Sequence, residues 1–182
     1  MKKEAFEYVL FKLIEWYNLN NHSLNYLEFN STNDLSKLKI LKLHFFVTTV
    51  NAKNNNLLDV FNNFYAMPYG HVESDIYNEL SRLERYVVSN RNVIIKDLYL
   101  ENLNLSFELL ESKIKLDIDS AVETLKLKNS ELINLSALDL VEISHHYFSW
   151  KYTFNHARVS KRFSEPIPVD LIKDEIKYFA LN

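Results

Sequence analysis

Glycine occurs once in this chain of 182 residues, at Gly70, two positions after Pro68. A chain this sparing with glycine places it where a side chain would clash or where φ must be positive. Pro68 fixes its own φ and pushes Met67 toward extended geometry. The stretch Phe64-Tyr65-Ala66-Met67-Pro68-Tyr69-Gly70-His71-Val72 therefore reads as an extended segment, a tight turn and the start of a helix. The same scarcity removes whole classes of chemistry. Phosphate-binding loops and the Gly-x-Ser-x-Gly nucleophile elbow each need at least two glycines. Cysteine is absent, which excludes disulfides, thiol catalysis and cysteine-based zinc sites.

The apolar pattern predicts a mainly α, compact, single-domain helical bundle over residues 1–182, with a small extended or β element near residues 58–67. An N-terminal helix over 4–18 places Phe6, Val9, Leu10, Leu13 and Tyr17 on one stripe. Tyr8 and Phe11 fall off that stripe, beside Glu4 and Glu15. Residues 20–33 are rich in Asn, Ser and Thr and read as a loop, with Asn33 or Asp34 capping the next helix. That helix, about 35–51, is apolar nearly all round, the signature of a central buried element. A stripe of Val72, Ile76, Leu80, Leu83 and Val87 predicts a helix after Gly70, with Arg82 and Arg85 at its end. Residues 90–116 are open to a strand at Val93-Ile94-Ile95 or to an irregular leucine-rich segment. A short helix near 117–127, a capping box at Ser136 to Asp139 and a last helix opened by Pro168 follow, the last burying Ile172, Ile176 and Phe179.

Hydrophobic residues make up 47% of the chain, which argues against disorder. A formal charge of −3 lacks the basic field of a nucleic-acid binder. Glu7, Lys12 and Glu15 interrupt the first apolar run, so neither a signal peptide nor a membrane span is expected, and the chain reads as cytoplasmic. Glu142-x-x-His145 has the spacing of half a di-metal site, but a carboxylate-bridged bundle needs a second copy. No metal, no cofactor and no catalytic residue is expected. Arg158, Lys161, Arg162 and Phe163 form a basic cluster that reads either as an anionic contact surface or as a solvated loop, and the net charge favours the loop.

Four pieces, in order, resemble the Panacea-type antitoxin domain. They are the Lys-Leu-rich run Leu38 to Phe46, the segment around Pro68, Tyr69, Gly70 and Val72, the segment Leu135 to His145 with Trp150-Lys151, and Ile167 to Ile172. The resemblance covers about residues 34–180. It departs at His71, where the family's turn usually has proline. The positions that match the family's motif are Pro68, Tyr69, Gly70, Val72, His145 and Trp150. The resemblance implies a non-enzymatic protein-binding domain that neutralises a cognate toxin encoded by an adjacent gene, by occluding it or by presenting it to a protease. Self-association stays open. The alternatives are a metal-dependent or other hydrolase of unknown substrate, and a binding module carried by a phage or mobile element with a partner that is not a toxin. Interfaces are enriched in aromatics. One of two sets is therefore expected to contact the partner, either Tyr8 and Phe11, off the core stripe, or Tyr69 and His71, flanking the turn. The alternative for Tyr8 and Phe11 is that the loop 20–33 covers them and makes them core.

Overall fold

The computed structural model describes residues 1–23 and 25–181. Its architecture is mainly helical, with a few short strands. Helix α1 (Lys2–Asn21) packs against α3 (Lys37–Val50) and α6 (Ser112–Lys128). Helix α3 is the central element, in contact with α1, α6, α7 (Ala137–His145) and the sheet. Both α3 and α7 begin at a serine that accepts from the third backbone N–H, Ser36 from Lys39 at 3.3 Å and Ser136 from Asp139 at 3.1 Å. The capping box at Ser136 and Asp139 is complete. Asn33 and Asp34 do not cap α3. Asn33 instead holds Val93 by both backbone groups, at 2.9 and 3.1 Å.

Strands β1 (Phe64–Met67), β2 (Gly70–Glu73) and β5 (Glu165–Pro166) form an antiparallel sheet in the order β2-β1-β5. Met67 lies opposite Gly70, leaving Pro68 and Tyr69 as a two-residue turn. Proline cannot adopt the positive φ that primed hairpin turns need at this position. Tyr69 is not among the residues with positive φ, which removes a type II turn. A type I turn followed by a left-handed residue remains, and Gly70 supplies it with φ 93°.

Several expectations need correction. Residues 57–60 form a helical turn, α4 (Leu57–Val60), so the extended element is shifted to Phe64 and extends through β2. Gly70 to Glu73 is a strand, and the helix after it, α5 (Ser74–Glu79), is short. The chain then makes a 3-10 turn and strand β3 (Tyr86–Val88), paired with β4 (Val93–Ile95), so Val87 faces outward and the stripe through it is not one helix. Residues 20–33 contain α2 (Tyr26–Thr32), capped by Asn25, which accepts from Glu28 N–H at 3.0 Å. Between β4 and α6 the leucine-rich segment is a run of 3-10 turns. After α8 (Phe148–Val159), the last helix, α9 (Val169–Asp174), buries Ile172, and Phe179 packs in the core beyond it. Ile176 lies outside α9 and is exposed. Among the described residues, no helix is long and apolar enough to cross a membrane.

Candidate functional site at the hairpin tip

Three helices reach the tip of the β1–β2 hairpin, and each takes one of its carbonyl groups. The indole N–H of Trp150, on α8, donates to the Met67 carbonyl at 2.8 Å. His145, the last residue of α7, stacks on Trp150 with ring centroids 3.8 Å apart and bonds the Pro68 backbone. Proline offers only its carbonyl, so the imidazole is the donor. Lys42, on α3, donates its ammonium to the His71 carbonyl at 2.5 Å. Gly70 lies so close to α7 that a Cβ there would land on Ser144 Oγ and come within 3.0 Å of Lys42 Nζ. The turn is thus clamped from below, and Tyr69 is left 60% exposed at its apex.

A second polar layer lies beneath. The His71 ring stacks on Phe45 at 3.7 Å, and its Nε2 meets Ser149 Oγ at 2.8 Å. Ser149 gives its hydroxyl proton to Glu175 at 2.8 Å, while its backbone N–H donates to the other carboxylate oxygen at 2.7 Å. A hydroxyl has one proton, so Ser149 accepts from His71, and His71 carries its proton on Nε2. Burial, and then the neighbouring Lys42, hold His71 well below its ordinary value, so the ring is neutral. Burial pushes Glu175 up. The relay orients α8 and the C-terminal segment against the hairpin. It also commits the Ser149 proton to a carboxylate, and both His71 and Ser149 are buried, so this serine is not presented as a nucleophile.

Lys42 carries a pH signature. Burial lowers its ammonium from 10.5 to about 7. The unfolded chain protonates this lysine below about 10.5 and the folded chain only below about 7. Between those values the unfolded state binds more protons, so stability climbs as pH rises through that window and levels off below it. The climb is at most about 1.4 kcal/mol per pH unit. Urea titrations from pH 6 to pH 10 are expected to show it as an increase in the midpoint that Lys42→Met lacks. Parallel profiles for the two proteins would refute the assignment.

The sequence-predicted site residues divide sharply. Tyr69 is exposed at the turn that Pro68, Gly70, His145 and Trp150 build or hold, while Val72 is buried in β2 opposite Tyr65. Tyr8, Phe11 and His71 are buried, which corrects their assignment as partner contacts. Tyr8 and Phe11 pack on Phe107, at 5.3 and 5.6 Å, and the Tyr8 hydroxyl donates to Asp119 at 3.1 Å. The cover comes from the segment before α6 and from α6 itself. Glu142 is exposed and lies 4.0 Å from His146, while His145 is committed to Trp150 and the turn. Among the described residues there is no group of three or more His, Asp or Glu side chains that could hold a metal ion. Ser149 and Glu175 left no signal in the sequence. Lys42 and Ser144 entered only as members of the antitoxin-like pieces, and Lys42 is not singular in α3, which also buries Lys39, His44, Thr48 and Thr49. Compared with protein-family models, curated proteins and solved structures, the chain gives no match in any of the three searches.

Proposed function

We propose that this chain is a protein-binding module that neutralises a cognate protein toxin by direct contact, with the hairpin tip as part of the contact surface. The observation that supports this reading is the convergence of three of the four antitoxin-like sequence pieces on one turn. Lys42 comes from the first piece, Gly70 and Tyr69 from the second, Ser144, His145 and Trp150 from the third. The fourth meets the same hairpin at its other end, where the Ile167 N–H donates to the Phe64 carbonyl at 2.8 Å. Residues of a shared scaffold are expected to meet in this way. The clamp also does what a binding surface requires: it removes conformational freedom from the backbone that carries an exposed tyrosine, and so lowers the ordering cost of association. The toxin itself is identified by a neighbouring gene rather than by the scaffold.

Co-expression tests the reading. The adjacent open reading frame, induced alone, is expected to arrest growth, and this chain is expected to restore it. Tyr69→Ala is expected to abolish rescue while moving the thermal midpoint by less than about 2 °C, because an exposed turn side chain contributes little to the fold. A harmless neighbour, or full rescue by Tyr69→Ala, counts against the proposal. A hydrolase predicts instead that activity resides in the purified chain without a partner.

A further inference from the structure

Helix α8 and the turn after it, from Phe148 to Phe163, contain Lys151, Arg158, Lys161 and Arg162 and no Asp or Glu, in a chain of formal charge −3. The inner face of α8 is committed to the fold. Ser149, Thr153 and Ala157 are buried, and Trp150 and Phe154 pack against the core. The outer face carries Phe148, Lys151, Tyr152, Arg158 and Val159, all exposed and spaced as one helical strip. Phe148 is 57% and Tyr152 58% exposed, and their rings stack on each other at 5.7 Å. Lys151, Arg158 and Lys161 join no ion pair among the described residues, and Arg162 reaches Glu165 at 3.4 Å.

The end of α8 adds an independent observation. The Lys161 N–H donates to Arg158 at 3.0 Å, and the Arg162 N–H donates to Ala157 at 2.8 Å. This is a Schellman ending, whose left-handed position is usually glycine. Lys161 occupies it at φ 54°. Lysine carries strain there that glycine would not, as His22 does at the same φ at the end of α1, and it sets a cation at the end of the strip.

We infer that the outer face of α8 docks an acidic polypeptide segment of the partner, its apolar side chains seated on Phe148 and Tyr152 and its carboxylates on Lys151, Arg158 and Lys161. This deepens the protein-binding reading above and rests on it. Charge complementarity selects the acidic partner. A nucleic acid fits less well, because its phosphate backbone carries a charge at every nucleotide and would run past these few cations onto a chain of net negative charge, whereas a short acidic segment need not.

The test uses the full chain and no toxin. A fluorescent peptide of alternating glutamate and phenylalanine is titrated at low and high salt, beside the same peptide with lysine for glutamate and beside a single-stranded DNA. The acidic peptide is expected to bind, to weaken with salt, and to bind at least about tenfold more weakly to the triple variant Lys151→Glu, Arg158→Glu, Lys161→Glu. Phe148→Ser with Tyr152→Ser is expected to weaken binding at both salt concentrations. Lys161→Gly supplies the contrast that a purely structural role would not: the thermal midpoint rises by roughly 1–3 °C while peptide affinity falls. No binding by the native chain, equal affinity in the triple variant, or tighter binding of the DNA would overturn the inference. Toxin rescue that persists after any of those results leaves the function proposed above standing, so the two failures are distinguishable.

Discussion

Replacing Gly70 by alanine is expected to cost about 2–4 kcal/mol, a large share of the stability of a domain this size. Two effects add. The residue sits at φ 93°, where an L side chain is strained by about 1–2 kcal/mol. The new Cβ would also collide with Ser144 Oγ, with Lys42 Nζ and Ser144 Cβ at 3.0 and 3.3 Å behind it. Neither neighbour can give way cheaply. Ser144 is buried on α7, and Lys42 is buried with its ammonium bonded to His71. The two effects separate in a double-mutant cycle. Ser144→Ala removes the colliding hydroxyl but not the backbone strain, so Gly70→Ala with Ser144→Ala is expected to recover about 1 kcal/mol or more of the loss and keep the rest. Urea denaturation of the four proteins measures this. A Gly70→Ala protein within about 0.5 kcal/mol of the native one would show that the hairpin tip moves freely away from α7, and the rigid clamp would be lost as an argument for binding.

That clamp was half legible in the sequence. A single glycine after a proline announces a turn, and a helix apolar on every side announces the centre of the fold; both lie where the pattern puts them. What the pattern could not carry was the partner of each group. Strand β2 is four residues long and buried on both faces, so it shows no alternation, and Val72, Ile76 and Leu80 imitate a helical stripe across its boundary. The same double burial puts His71 inside, where a turn-flanking residue is expected outside. Helix α2 is polar enough to read as a loop, because part of what holds it is side-chain bonding to another strand: Asn30 pairs with both backbone groups of Ile95, at 2.8 and 2.9 Å. Tyr8 and Phe11 depart from the stripe of α1 because α1 is buried on more than one side, and their cover, Phe107, comes from a stretch with no periodicity to announce it. In each case the local signal was present and the non-local contact decided the outcome.

The second large effect is expected far from the hairpin, at Glu7. This carboxylate was legible only as a charge that interrupts an apolar run, and Arg85 only as a cation at a helix end. They are instead buried partners. Glu7 accepts from the backbone N–H groups of Glu84 and Arg85, the latter at 3.1 Å, and from Arg85 Nη1 at 2.5 Å. Arg85 is fixed further by Ser106, at 2.8 Å to the hydroxyl and 2.6 Å to the carbonyl, and by the Phe107 ring at 4.4 Å. Glu7→Leu leaves a buried guanidinium with only the exposed Glu84 carboxylate, 3.6 Å away, and two backbone donors without an acceptor, and is expected to cost about 2–4 kcal/mol. Arg85→Met is expected to cost less, because Glu7 keeps both backbone donors. The double variant Glu7→Leu, Arg85→Met removes both charges together and is expected to be more stable than Glu7→Leu alone by about 1 kcal/mol or more, the sign of a pair whose worth lies in mutual compensation. Urea midpoints at neutral pH decide it: a Glu7→Leu loss under about 1 kcal/mol would mean that water reaches Arg85 and that α1 is not locked to β3 through this pair. Because the pair touches neither Tyr69 nor α8, the folded fraction of each variant is expected to keep its full affinity for a partner, which separates a residue that holds the fold from one that makes the contact.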